Sequence, residues 1–141
     1  MATEAPAGTD LGLVRAQAEP AQDGSYRITG SKIFITNGSI ATILMLVVRT
    51  DATDRKRGLS ILMVETKGLA GYRVGRVLDK MGMTAQDTAE LFFEDVRVPV
   101  ANILATEGDG FMIAQARLGP GRIHHCMRSI GQAERALELM I

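Results

Sequence analysis

The 141-residue chain is 46% hydrophobic and 23% charged, the balance of an ordinary globular protein rather than of a disordered or collagen-like one. Sixteen basic residues against sixteen acidic ones leave no net charge, which removes the electrostatic footprint of a nucleic-acid-binding or polybasic membrane-surface protein. A single cysteine excludes an intrachain disulfide, and the longest wholly apolar run, Ile43 to Val48, is far short of the roughly 20 residues of a transmembrane helix.

Met1 leads into Thr3, Glu4 and Asp10 rather than a basic and then apolar stretch, so no signal peptide is read and an intracellular location is expected. Strand-like sequence runs from Leu11 to Ala18. Tyr26, Ile28 and Ile33 to Thr36 form the next run, which ends at Asn37-Gly38, a pair suited to a two-residue hairpin turn because both tolerate positive φ. Thr42 to Thr50 follow, then the charged stretch Asp51 to Arg57, read as a solvated loop. Leu59 to Val64, Tyr72 to Leu78 and Thr88 to Val98 complete a series of strand-length segments separated by turn residues. Their spacing predicts an all-β sandwich or barrel.

After Pro99 the period changes. Asp109 caps a predicted short helix through Ala116, and Gly119-Pro120-Gly121 breaks it. Beyond the break, Ile123, Cys126, Met127, Ile130, Ala133, Leu137 and Met140 recur at helical spacing, opposite Arg128, Gln132, Arg135 and Glu138. This apolar stripe is expected to be exposed, and the chain reads as a piece of a longer protein.

Most chemistry is excluded by spacing. Gly108-Asp109-Gly110 lacks the third glycine and the βαβ setting of a dinucleotide site. His124-His125-Cys126 does not converge on one metal ion, since adjacent helical residues point about 100° apart. One buried and one partner-facing histidine is the expectation, with Cys126 in a core. Two features remain. Thr3-Glu4 with Gly8-Thr9-Asp10 offers hydroxyls and backbone N–H groups to an electron-rich ring or a phosphate, or is an ordinary polar loop. Phe34 and Thr36 share a strand face, where they stack on and hydrogen-bond a planar ligand, or serve as core and strand former.

Read in order, seven segments resemble the acyl-CoA dehydrogenase family over almost the whole chain. They are Thr3-Glu4 with Gly8-Thr9-Asp10, then Gly30-Ser31-Lys32-Ile33-Phe34-Ile35-Thr36-Asn37-Gly38, Lys80-Met81-Gly82-Met83 and Asp87-Thr88-Ala89-Glu90-Leu91. Phe93-Glu94-Asp95-Val96-Arg97-Val98-Pro99, Glu107-Gly108-Asp109-Gly110-Phe111 and Gly121-Arg122-Ile123 complete the set. The resemblance implies a mainly β fold: the family's middle β-barrel domain over residues 1–104, then one short and one longer α-helix. Residues 105–141 would open its C-terminal four-helix domain.

It also implies FAD as cofactor, with Ala2, Thr3, Gly8, Thr9, Phe34, Ile35 and Thr36 around it. Thr36 would place its hydroxyl near flavin N5, and Phe34 would pack against the ring. Thr9, Gly119, Pro120, Gly121 and Arg122 match positions that contact an acyl-CoA substrate. The implied reaction is α,β-dehydrogenation to a 2-enoyl-CoA, with electrons passed to an electron-transfer flavoprotein or a similar acceptor. A homo-oligomer is expected at full length, in the cytoplasm of a bacterium or the mitochondrion or peroxisome of a eukaryote.

Three departures from the family pattern stand out. Ala5 intervenes before Pro6, where proline usually follows the glutamate directly, and Phe34 replaces the usual tryptophan. Gly121 occupies the position where a minority of members carry the catalytic base, so that base is expected beyond Ile141 and these 141 residues alone are expected to be inactive. Glu134 and Glu138 read as surface residues. The alternatives are a nitroalkane-oxidase-like or other flavin-dependent relative, and a binding β-barrel that has lost FAD.

Overall fold

Along β2 (Ser25–Thr36) the inward positions are Tyr26, Ile28 and Lys32, then Ile35; along β6 (Thr88–Pro99) they are Ala89, Leu91 and Phe93, then Val96 and Val98. A step of three within an alternating strand marks an extra residue on that strand. The pairing shows both. Ile28 faces Val96 while Gly30 faces Phe93, so β6 carries the extra residue there; Lys32 faces Leu91 while Ile35 faces Ala89, so β2 carries it there. Asp95 and Phe34, one in each bulge, take positive φ of 54° and 58°. The two bulges cancel, and Thr36 pairs with Thr88 as Ser25 pairs with Pro99.

The computed structural model describes all 141 residues, which divide into two units, Met1–Phe111 and Met112–Ile141. The first unit adds β1 (Gln17–Pro20), β3 (Ile43–Arg49), β4 (Leu59–Glu65) and β5 (Tyr72–Val77) to make one six-stranded sheet in the order β4-β3-β1-β2-β6-β5. Neighbours are antiparallel except β1 and β3, which meet in parallel at Gln17 and Arg49. Residues from across the sheet share one core, including Leu44, Leu46, Val64, Leu91 and Phe93. Burying each such side chain contributes about 1.5–3 kcal/mol.

The mainly β fold is as expected, but the sheet is open where a barrel was anticipated. β4 cannot pair with β5 because its outer edge is taken. Leu62 bridges Ile103, Leu104 N–H donates to the Ile61 carbonyl at 2.8 Å, and Asn102 Nδ2 donates to the Met63 carbonyl at 2.9 Å. At the other edge Arg73 and Arg76 of β5 are exposed, and charged edge residues resist pairing with another chain.

Asn37-Gly38 is not a two-residue hairpin. β2 already has β6 along one edge and β1 followed by the N-terminal residues along the other, so the chain leaves it and crosses to β3. Only Asn37 of the pair has positive φ, and its carbonyl accepts Ala41 N–H at 2.9 Å in a wider turn. The segment from Leu11 to Ala18 is a short 3-10 turn, Leu11–Leu13, that leads into β1. Asp51 to Arg57 form a loop of turns and bends, mostly exposed. The Asp51 and Asp54 carboxyls are held below the usual range, chiefly by backbone N–H groups of Thr53 and Arg57 respectively.

Tyr26 shows how the following segment is fastened. Its hydroxyl donates to Glu107 Oε2 at 2.9 Å, and burial, reinforced by that carboxylate, pushes its pKa up to about 12. The folded protein therefore holds this proton where the unfolded chain has lost it. The contribution is complete below pH 10 and disappears as pH rises from 10 to about 12. Tyr26→Phe is expected to flatten that part of the stability profile, measured by urea unfolding at stepped pH; an unchanged slope would remove Tyr26 as its source.

A single helix, α1 (Gly110–Met140), starts directly after Asp109 and continues through Pro120, where two helices were expected. Proline resists a preceding α-helical residue partly through that residue's Cβ, and Gly119 has none, so the break reduces to one missing N–H donor. Within the second unit the apolar stripe of α1 is exposed, as expected. Cys126, His124 and His125 are exposed too, contrary to the core placement expected of Cys126 and the burial expected of one of the two histidines. The unit contains only this helix, so it has no second element to cover any side of it.

Candidate functional site

The site is built where β2 outlasts β1. β1 pairs with β2 only up to Thr29, and beyond it the N-terminal residues take the vacant place beside β2. Ile33 N–H donates to the Thr3 carbonyl at 3.0 Å, and on the other side Val47 N–H donates to the Met1 carbonyl at 2.9 Å. Glu4 and Ala7 exchange backbone bonds of 3.1 and 3.0 Å, which close a turn over Ala5 and Pro6 and launch the exposed loop Gly8-Thr9-Asp10.

Two side chains that the sequence reading did not place at the site's foundation hold this arrangement. Lys32 and Glu4 form an ion pair at 2.6 Å with side chains 0% and 4% exposed. Lys32 Nζ also donates to the Ala2 carbonyl at 3.3 Å. The Glu4 carboxylate accepts Arg15 N–H at 2.7 Å and Ala16 N–H at 3.1 Å, so every buried polar atom here is satisfied. Burial holds the Lys32 ammonium below its usual pKa, while Glu4 opposes that shift. The signal lay in the pattern: Lys32 has the inward parity of Tyr26 and Ile28.

Arg49 is the second organiser. Its guanidinium donates to the carbonyls of Val14, Gly12 and Asp54, each at 3.0 Å, and to that of Asp51 at 3.3 Å. Arg55 adds an exposed ion pair to Asp10 at 2.7 Å. The segment after Thr9 is thereby fastened to the charged loop 51–57.

The structure ties Thr3 to Ile33 and Ala2 to Lys32, on the strand that continues through Phe34, Ile35 and Thr36. Phe34 is 62% exposed, and its positive φ is costly for a bulky residue. Thr36 is exposed one turn of the pleat away, while the Ile35 side chain is in the core and leaves only its backbone to an outside ligand. The hydroxyls of Thr3, Thr9 and Thr36 make no hydrogen bond within the protein. Beside Thr36 on β6, Thr88 receives Lys80 Nζ at 2.8 Å, which brings a cation to this end of the sheet.

An exposed aromatic ring on a strained backbone and hydroxyls free to donate can stack on and hydrogen-bond a planar, heteroatom-rich ring, and the residues present fit a flavin. Gly119, Pro120, Gly121 and Arg122 fall in the second unit, inside α1 rather than in a turn. Arg122 Nη2 donates there to Gln115 Oε1 at 2.8 Å. Glu134 and Glu138 are exposed on α1, and Glu138 pairs with Arg135 at 2.9 Å. No group of three or more metal-binding side chains gathers anywhere, and no helix is long and apolar enough to cross a membrane.

The family model described as acyl-CoA dehydrogenase, middle domain, matches residues 1–96. The chain is 44% identical over 134 residues to the short-chain specific acyl-CoA dehydrogenase of Clostridium acetobutylicum, covering 95% of this chain and 35% of that protein. It is 41% identical over 140 residues to the acryloyl-CoA reductase (NADH) of Anaerotignum propionicum, covering 99% and 35%. Among solved structures it superposes on butyryl-CoA dehydrogenase from Megasphaera elsdenii with a TM-score of 0.82 at 43% identity, over 86% of this chain and 32% of that one. The chain thus spans about a third of the length of the curated relatives it matches.

Proposed function

The chain belongs to the acyl-CoA dehydrogenase family, and from that premise we propose that it is the flavin- and acyl-CoA-binding part of an enzyme that dehydrogenates acyl-CoA thioesters. Residues 1–104 form the middle domain in this reading, and residues 105–141 open the C-terminal helical domain. The observation that carries it is the exposed Phe34 at positive φ beside the unbonded Thr36 hydroxyl, on the strand to which Thr3 is tied.

FAD would be held by Ala2, Thr3, Gly8, Thr9 and Phe34 to Thr36, and when bound it supplies the acceptor for a hydride. In the reaction the substrate's α C–H gives up a proton to a carboxylate base. The β hydrogen leaves as hydride with its C–H electron pair, and the electrons of the broken α C–H bond form the Cα–Cβ double bond. Phe34 presents a face for stacking and excludes water from it; Thr36 and Thr3 orient a planar ring by donating hydrogen bonds. By the family likeness, Thr9 in the first unit would contact an acyl-CoA substrate, and in the second unit the Gly119 to Arg122 stretch matches positions that do so. The base lies outside these residues, since Gly121 precedes Arg122 and the two helix glutamates have no site around them. The 141 residues alone therefore turn nothing over. An electron-transfer flavoprotein or a similar acceptor would take the electrons onward, and the full-length enzyme would be a homo-oligomer inside the cell.

The test is a visible spectrum of the purified full-length protein, expected to show bound flavin that acyl-CoAs bleach anaerobically. A colourless protein that takes up no FAD would overturn the reading, and bleaching by nitroalkanes but by no acyl-CoA would transfer it to a nitroalkane-oxidase-like relative. Thr36→Val is expected to slow flavin reduction roughly tenfold, the value of one hydrogen bond strengthened in the transition state. Stability should stay within about 0.5 kcal/mol, because Thr36 is an exposed position. Wild-type reduction rates would remove Thr36 from this role.

A further inference from the structure

We propose that the buried Lys32–Glu4 pair is a positioning device that sets the register of Ala2-Thr3 against Phe34–Thr36. It would thereby control how tightly the flavin ring is held. The inference rests on the flavin reading above and adds to it two residues that do not touch the ring.

The argument starts from what such a pair does not accomplish. Two charges taken from water recover their desolvation cost only in part, and a well-packed apolar pair of similar volume is usually as stable or more so. Stability is thus a poor account of a lysine at an inward position of β2. Register is a better one, because it is the best-attested use of buried polar pairs.

The bonds here are those a register key needs. Lys32 Nζ reaches both Glu4 Oε1 at 2.6 Å and the Ala2 carbonyl at 3.3 Å, and the next residue, Ile33, donates its N–H to Thr3. Glu4 is fixed in turn by Arg15 N–H and Ala16 N–H. A slip of the N-terminal segment by one residue would turn Glu4 outward and Thr3 inward, since side chains alternate along an extended chain. That would leave the ammonium and the Ala16 N–H buried without their carboxylate and take the acceptor from the half-buried Arg15 N–H. The pair also stands at the start of the β2 bulge, between Lys32 and Ile35, which turns Phe34 to the outside. One contact therefore registers both segments that would face the ring.

The experiment uses the full-length protein as Lys32→Met and as the double variant Lys32→Met/Glu4→Gln. The single variant leaves the Glu4 carboxylate buried without its cation, and both thermal stability and FAD affinity should fall. The double variant removes the uncompensated charge but not the lost tether to Ala2. Its Tm should recover toward wild type while FAD binds at least tenfold more weakly. In FAD-free protein its Ile33 amide should exchange with deuterium at least tenfold faster than in wild type.

Recovery of FAD affinity together with Tm, or wild-type protection of Ile33, would overturn the proposal and leave the pair a purely structural role. If the double variant does not fold, Lys32→Gln/Glu4→Gln, which removes both charges and keeps a polar group at each position, carries the same two readouts. A wild-type protein that takes up no FAD would instead overturn the parent reading, and Ile33 exchange would still decide the register.

Discussion

Gly30→Ala is expected to cost the protein about 3 kcal/mol of stability, a large penalty for one methyl group. A Cβ there would lie 2.6 Å from both Cα and Cβ of Ala16, at a φ of +155° that side chains rarely adopt. Overpacking against a neighbouring backbone costs about 1–3 kcal/mol, and a disfavoured backbone conformation costs a similar amount. The position matters because Ala16 is where β1 arrives against β2, and its N–H is one of the bonds that fix Glu4. Pushing Ala16 away disturbs the buried ion pair as well as the strand pairing. Urea midpoints measure the loss. Gly8→Ala is the control, with nothing within 4 Å of the added carbon, and should change little. Equal midpoints for the Gly30 variant and wild type would refute the close approach.

Phe34→Asn separates fold from function. Asparagine tolerates the left-handed region better than phenylalanine, and the ring is largely exposed, so stability should stay within about 1 kcal/mol or rise. FAD affinity of the full-length protein should fall about tenfold, because an aromatic stack contributes about 0.5–1.5 kcal/mol beyond the area it buries. FAD titration and thermal unfolding together decide the matter. Lost stability with unchanged affinity would make Phe34 a packing residue and remove it from the site. The expected pattern, strain held where a ligand is to be met, is the usual relation between backbone outliers and functional sites.

Much of the architecture was legible because it is local. The strands at Ile43, Leu59, Tyr72 and Thr88 begin within a residue or so of the apolar runs that announced them, since alternation and β-branched content belong to each segment by itself. The wider turn at Asn37-Gly38 was not legible, because the hairpin signal is equally local while the neighbours of β2 are chosen elsewhere. The unbroken helix through Pro120 was misread from a strong breaker, whose effect depended on the residue before it being Gly119.

The candidate site divides the same way. Thr3, Thr9, Phe34 and Thr36 were singled out from residue type and spacing, and their motifs matched a family whose model covers residues 1–96. What holds two of those segments together could not be read from either alone. Glu4 and Lys32 lie 28 residues apart, and neither is unusual in its own segment until the lysine's inward parity is noticed.

The sequence by itself therefore determined most of the strands, that the C-terminal part is helical, and which family pattern they follow, because each of these is written in neighbouring residues. Only the tertiary structure decided that the sheet stays open, that a bulge turns Phe34 outward, and that the N-terminal residues extend beside β2 on a buried ion pair. Those outcomes depend on which distant segments compete for the same strand edge and the same desolvated space, and that competition is resolved only when the chain folds.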